Sequence, residues 1–416
     1  MSLRSKPMAQ LRGGHQLDLL QGGDQYFGAL IDAIDGSREE VRFETYIFQL
    51  DRSGCRVAEA LERAAQRGVR VYLTMDGVGT PTLPTAWATR FDRSGVRWHI
   101  FSPLGRVGLF VPSRWRRLHR KLCVVDGQVA FCGGINVLDD YLDPNHGDLS
   151  EPRLDFAVRV TGPLVQDAHR TMAAFWWRLQ LASEVNAREF PAAWRGLQDS
   201  MRRAIDARAK APKTASGADG LQVTAGACAA LLLRDNLRNR RKIESAYLVA
   251  IERARTEIVI ANAYFLPGVR LRRTLIDAAR RGVRVRLLLQ GRYEYFLQYH
   301  ASRPVYGALL AAGVEIHEYA ASFLHAKVAV VDMRWATVGS SNLDPLSLLL
   351  AREANVVVED PAFAQHLKHR LEEAMAQGGR VLEARAFANR PWHQRVLETL
   401  ALGVMRLGLL LIGRRY

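Results

Sequence analysis

The chain is poor in cysteine, and it has no long apolar run near its start. Its four cysteines, Cys55, Cys123, Cys132 and Cys228, form neither a CxxC pair nor a Cys/His ligand spacing. That argues against a disulfide scaffold and against the common zinc modules, and no metal site or cofactor is expected. Cys123 and Cys132 fall in valine-rich sequence that reads as core, which fits reduced thiols on a cytosolic face. The opening MSLRSKPMAQLRGGHQLDLL is too polar for a signal peptide or a spanning helix, so any membrane attachment has to come from elsewhere. Acidic residues are also in deficit. Against 42 Asp and Glu stand 58 Lys and Arg, a formal charge of +16, which favours a polyanionic partner such as nucleic acid or an anionic membrane. Disorder is excluded as the default, since 48% of the 416 residues are hydrophobic.

What the chain does have is a doubled pattern. His119, Lys121, Asp126, Gly133, Gly134 and Asn136 recur as His325, Lys327, Asp332, Gly339, Ser340 and Asn342, in the spacing HxKxxxxDxxxxxxG(G/S)xN. The doubling extends outward: IDAIDGSREEVRFETYIF from Ile31 aligns without gaps on LVAIERARTEIVIANAYF from Leu248. LERAAQRGVRVYL from Leu61 answers LIDAARRGVRVRL from Leu275, and GVRWHIF from Gly95 answers GVEIHEY from Gly313. Amphipathic helices closed by Gly68 or Gly282 alternate with β-branched strands. Each half therefore reads as a β-α-β-α series ending in the strand that bears the motif. The expected class is α/β, with two homologous halves of mixed sheet packed about a pseudo-twofold axis and one site between them. The expected divisions are a first half over 1–206, a linker over 207–220 (from the Lys- and small-residue-rich ARAKAPKTASGADG), a second half over 221–385, and a basic, apolar tail over 386–416.

Period-two geometry would put His119 with Lys121, and His325 with Lys327, on one face of each motif strand. Two imidazoles suit a two-step displacement at phosphorus. One attacks as a neutral nucleophile, while the other protonates the leaving alkoxide and then deprotonates the incoming alcohol. Lys121, Lys327, Asn136 and Asn342 would bind the non-bridging oxygens of a phosphodiester, Gly134 and Ser340 would let the backbone approach it, and Ser340 would add a hydroxyl donor. The second ring nitrogen of each histidine needs an acceptor. Asp155 and Glu353 open apolar strands at equivalent places after the motif, and they are expected to orient His119 and His325 respectively. Asp126 and Asp332, at odd offset from the lysines, should turn away and organise the turn after each strand. A single HxK is most often a coincidence, whereas two complete copies argue for catalysis over a protein that merely binds phosphate.

These residues resemble the paired motifs of the phospholipase D superfamily, over nearly the whole chain from about Gln16 to about Leu382. Within it, ANAYFLPG, LHAKVAVVD and WATVGSSNLDPLSL are most similar to bacterial cardiolipin synthases, and the layout resembles their shorter type, without amino-terminal membrane helices. The resemblance implies that His119 is the nucleophile and His325 the acid and then base, with Lys121, Asp126, Lys327 and Asp332 completing the catalytic sets. It implies transfer of a phosphatidyl group to phosphatidylglycerol, giving cardiolipin and, when the donor is also phosphatidylglycerol, glycerol. The partners would be these phospholipids and an anionic membrane surface rather than nucleic acid, and the protein would sit peripherally on the cytoplasmic face of the bacterial inner membrane. A phosphodiester hydrolase, whether lipase or nuclease, and a lipid-binding scaffold without turnover stay open as alternatives.

Two segments suit a membrane. LGRVGLFVPSRWRRL, just before His119, has no counterpart in the second half and mixes Leu109, Phe110, Val111 and Trp115 with Arg106, Arg114, Arg116 and Arg117. It is expected to form a lip among lipid headgroups. The tail from Arg390 has an apolar stretch broken by Arg406, short of the roughly 20 residues a spanning helix needs. Lying in the interface or docking on the core are equal expectations for it.

Overall fold

The doubled sequence folds as two sheets of one plan. The computed structural model describes residues 10–105, 115–186, 226–235, 239–293, 296–344 and 351–411. The first half runs β1 (Arg12–Gln21), α1 (Gly22–Asp35), β2 (Glu40–Thr45), α2 (Arg52–Gln66), β3 (Arg70–Asp76), α3 (Thr85–Ser94) and β4 (Arg97–Phe101). It continues through β5 (Arg117–Leu118), the hairpin of β6 (Lys121–Val125) and β7 (Val129–Gly133), a small hairpin of β8 (Leu142–Asp143) and β9 (Gly147–Asp148), β10 (Phe156–Thr161) and α4 (Leu164–Asn186). The second half follows with β11 (Ala227–Arg234), α5 (Lys242–Arg253), β12 (Glu257–Asn262), α6 (Val269–Arg280), β13 (Arg284–Gln290), α7 (Phe296–Leu310) and β14 (Glu315–Tyr319). Then come β15 (Lys327–Val331), β16 (Trp335–Gly339), β17 (Ala351–Glu359), α8 (Pro361–Gly378), β18 (Gly379–Val381), α9 (Ala384–Ala388) and α10 (Trp392–Leu411).

Across the first sheet the order is β4-β3-β2-β6-β7-β10-β1, and across the second β14-β13-β12-β15-β16-β17-β11, with β18 outside β14. In each, the three strands joined by α2 and α3, or by α6 and α7, are parallel and the rest antiparallel, so the sheets are mixed as expected. The sheets join where β1 meets β11, with a register break between Arg12 and His15. Leu122, Val124 and Val158 of one sheet meet Val328, Val330 and Val356 of the other in a single buried cluster, which α4 and α8 complete. Helices α1 and α2 cover the opposite face of the first sheet, and α5 to α7 that of the second. Burial on both faces explains why KLCVV and KVAVV are unbroken apolar runs rather than alternating ones.

Local chemistry sets the boundaries. Gly68 and Gly282 take φ +90° and +88°, and the amides of Val69 and Val283 each reach back 3.1 Å to Ala64 and Ala278. This closes α2 and α6 identically, since the left-handed turn costs glycine least. Two features differ from the sequence expectation. Strands β1 and β11 precede the gapless similarity, and they form the joint between the sheets. Each motif segment is also a hairpin rather than one strand: Asp126 and Gly127 (φ 50° and 64°), like Asp332 and Met333 (50° and 51°), supply the two consecutive left-handed residues of a tight turn. The linker expected over 207–220 lies outside the described residues.

Candidate active site

Each histidine sits where the chain passes from one sheet to the other. His119 follows β5, which pairs in parallel with the start of β17 of the second half, and precedes β6. Its amide donates to the Arg352 carbonyl at 3.0 Å. His325 follows the matching bridge of Leu324 to Leu154, and its amide donates to the Leu154 carbonyl at 2.9 Å. The next residue after each acceptor is a carboxylate, which therefore faces the imidazole of the other half. Glu353 lies 3.0 Å from His119 Nδ1, and Asp155 2.6 Å from His325 Nδ1. This corrects the pairing expected from sequence, in which Asp155 served His119 and Glu353 served His325. Repeat equivalence showed that each half has one carboxylate, but an exchange of strands across the twofold decides which imidazole it meets.

The small residues of the motif also have other neighbours than expected. A Cβ on Gly134 would lie 2.2 Å from Asp155 Oδ1, so the missing side chain makes room for that carboxylate rather than for a phosphate. Ser340, its counterpart, is fully buried and donates its hydroxyl to Glu353 Oε2. Asp126 accepts from the amides of Arg38, Glu39 and Glu40 at 2.8–2.9 Å, and Asp332 from those of Arg255, Thr256 and Glu257 at 2.8–3.0 Å. Three amide donors hold both carboxyls below the usual carboxylate range, in spite of partial burial that pushes the other way. These aspartates pin the motif hairpin to the neighbouring strand with both carboxylate oxygens on backbone amides, which corrects their expected place in the catalytic sets.

His119, His325, Asn136, Asn342 and Asp155 line one cavity of about 530 Å³. Lys121 and Lys327 are buried, and their ammonium groups donate to the carbonyls of His119 and His325. Asn136 Oδ1 accepts from the Ile47 amide at 3.2 Å. Tyr46, which the sequence reading passed over, packs edge-on against His119 with ring centroids 4.9 Å apart, and its ring lies 5.3 Å from Lys121 Nζ. The aromatics that end the strand in ETYIF were its only signal. Asp140, Asp143, Arg153, Tyr264 and Met405 also line the cavity and belong to no motif.

Of the arginine and aromatic insertion, Phe110 and Arg114 lie outside the described residues. Arg116 is exposed. Trp115 is half-buried, and its carbonyl accepts from Arg117. Arg117 does not form a free lip: it reaches back 3.1 Å to buried Asp76, which also accepts from the Leu118 amide at 2.7 Å. Its charge is used to hold β5 in place beside the cavity.

The charges of the site push most of its groups toward neutrality. Burial, opposed by Glu353, lowers the His119 imidazole, and burial with Lys327 and Lys121 takes His325 well below the usual range. Burial and then the facing Lys327 bring Lys121 down to about 7, while burial lifts Asp155 to about 7. A phosphate dianion or diester would offset the lysine repulsion and raise Lys121 again. The expected result is a bell-shaped kcat/KM. Its acid limb lies below pH 6.5, where His119 gains a proton, and its alkaline limb begins near pH 7, where Lys121 and the Asp155–His325 pair each lose one. On the alkaline side kcat should hold to higher pH, because bound phosphate keeps Lys121 charged. Parallel pH profiles of the two constants check this, and coincident alkaline limbs would contradict it.

A family model described as cardiolipin synthase, phospholipase D-like domain, matches residues 30–150 and 247–375, the two segments that carry both histidines, both lysines and both asparagines. The chain belongs to the cardiolipin synthase family of phospholipase D-like proteins. It is 34% identical to cardiolipin synthase B of Escherichia coli (strain K12) over 95% of this chain and 89% of that protein. It is 29% identical to cardiolipin synthase A of Cronobacter sakazakii over 93% of this chain and 74% of the relative. In fold it is similar to the crystal structure of phosphatidylserine synthase from Haemophilus influenzae Rd KW20, with TM-score 0.66, 12% identity, and 96% and 95% of the two chains covered. The phospholipase D-like fold expected from the doubled motif is therefore the fold observed.

Proposed function

We propose that this cardiolipin synthase family member transfers a phosphatidyl group to phosphatidylglycerol by two displacements at one phosphorus. Neutral His119, with Nδ1 held by Glu353, attacks through Nε2. An N–P bond forms, the P–O bond to the donor's head-group alcohol breaks, and His325 Nε2 gives that alkoxide the proton that the His325–Asp155 pair holds across its 2.6 Å contact. The hydroxyl of phosphatidylglycerol then passes its proton to His325 and attacks the same phosphorus. The N–P bond breaks, cardiolipin leaves, and His119 returns to neutrality. Lys121, Lys327 and the asparagines stabilise the charge on the non-bridging oxygens. The observation that carries this reading is the pair of imidazoles on one cavity, each backed by a carboxylate from the opposite half and each with a buried lysine bonded to its carbonyl.

Ile135, Leu138, Leu297 and Met405 give that cavity an apolar wall, which suits an acylglycerol better than stacked bases and favours phospholipid over nucleic acid. All four cysteines are free, in keeping with a reducing compartment and placement on the cytoplasmic face of the membrane. Incubation of the purified protein with phosphatidylglycerol vesicles should yield cardiolipin and glycerol in equal amounts. EDTA should leave the rate unchanged. Phosphatidic acid as the sole product would make the protein a hydrolase, cleavage of oligonucleotides at a comparable rate would make it a nuclease, and inhibition by EDTA reversed by zinc or magnesium would overturn the metal-free route.

A further inference from the structure

The carboxy-terminal helix α10 docks on the core along one face and leaves the opposite face exposed. Ala401 and Met405 are buried with the side chains of α7, and Glu398 is buried and paired with Arg390 at 2.8 Å. Opposite them, Trp392, Val396, Leu400, Val404 and Leu407 are 48–76% exposed. At about 100° per residue these five fall within an arc of about 120° of the helix, a continuous apolar stripe. Among the described residues no helix is long and apolar enough to cross a membrane, so this stripe is not part of a span.

We infer that the exposed face of α10 is the surface on which the protein docks on an anionic phospholipid bilayer, presenting the active-site cavity to its lipid. Charge selects this occupant. Glu398, the helix's one carboxylate, is turned inward, while Arg395 and Arg406 are exposed along one edge of the stripe. The outer face thus offers apolar side chains edged by cations, which matches acyl chains below anionic headgroups. Position supports it too: Met405 of α10 and Leu297 at the start of α7 both line the cavity, and Leu297 and its neighbour Phe296 are exposed. The stripe is therefore carried by an element that forms a wall of the lipid-taking site. This inference rests on the proposed phosphatidyl transfer, and vesicle binding can be measured without it.

The test uses the full-length protein, floated with vesicles of phosphatidylglycerol and phosphatidylethanolamine or of phosphatidylcholine alone. The wild type should partition onto the anionic vesicles. Leu400→Glu/Leu407→Glu should lower that partition at least about tenfold, because each change puts a charge where an apolar side chain entered the interface. Arg395→Glu/Arg406→Glu should weaken binding to the anionic vesicles alone. Turnover of vesicular phosphatidylglycerol should fall with partition, while turnover of dispersed short-chain phosphatidylglycerol stays within about twofold. Unchanged partition in both variants overturns the inference, as does a wild-type dimer in sedimentation velocity that the leucine variant dissociates while still binding vesicles. Cardiolipin missing from both substrate forms would strike the proposed reaction and leave partition to judge the helix. Thermal unfolding midpoints equal to that of the wild type exclude misfolding, and the arginine pair gives a second reading if the leucine pair is unstable.

Discussion

His119→Ala should abolish cardiolipin formation, by more than about 10⁴-fold, and should leave no lipid label on the protein after denaturation. His325→Ala should also lose turnover, by about 10²–10⁴-fold, yet it should accumulate a phosphatidyl-enzyme. The difference follows from what each imidazole does to the phosphorus. Removing the nucleophile removes the N–P bond itself, whereas removing the acid and base leaves attack possible and slows the proton transfers on either side of it. A donor with a nitrophenol leaving group makes the difference sharp, because that group departs without a proton. With this donor His325→Ala should release about one equivalent of nitrophenol per site and then stall, while His119→Ala should release none. Mass spectrometry of the quenched proteins identifies the adduct and the residue that bears it. Full activity in His119→Ala, or a burst in His119→Ala and none in His325→Ala, would remove or reverse the assigned roles.

Much of the fold and of the site was legible because the chain states it twice. A motif repeated with its flanking helices and strands fixes two halves of like topology, and the stops at Gly68 and Gly282 are local conformational facts that need no knowledge of the partner half. The pairing of β1 with β11 was not legible, since a contact between halves leaves no mark on either copy's periodicity. Local arithmetic did place Asp126 and Asp332 on turns, because strand alternation turns them from the pocket. It failed at Ser340 and Gly134, where the deciding neighbour is a carboxylate more than ten residues away. It failed also at α10, whose two faces are told apart only by what α7 covers. The departures of the two copies from each other are informative. Gly134 leaves space beside Asp155 while Ser340 donates to Glu353, so the two histidine–carboxylate pairs are supported differently within a common frame. The pair at His119 holds the longer carboxylate, whose Oε2 both faces His119 Nδ1 at 3.1 Å and accepts from the Ser340 hydroxyl.

That asymmetry yields the other large expected effect. Glu353→Gln and Asp155→Asn keep the shape of each carboxyl and remove its charge, and each should cost about 10²–10⁴-fold in turnover through the histidine it orients. Because the carboxylates cross between halves, the two losses should differ in kind. Glu353→Gln deprives His119 of the charge that stabilises the imidazolium formed when Nε2 bonds phosphorus, so the nitrophenyl donor should give a burst that is slowed in step with steady-state turnover. Asp155→Asn acts on His325, so the burst should stay fast and the adduct should accumulate, as in His325→Ala. Burying an amide where Ser340 Oγ donates costs little, since the Gln carbonyl can still accept from that hydroxyl, and folding should survive, as near-native unfolding midpoints would verify. The opposite assignment, with Asp155 serving His119, predicts the reverse, a slow burst in Asp155→Asn and a trapped adduct in Glu353→Gln. A stopped-flow record of the two variants separates these cases, and equal burst rates would mean that neither carboxylate acts through one histidine alone.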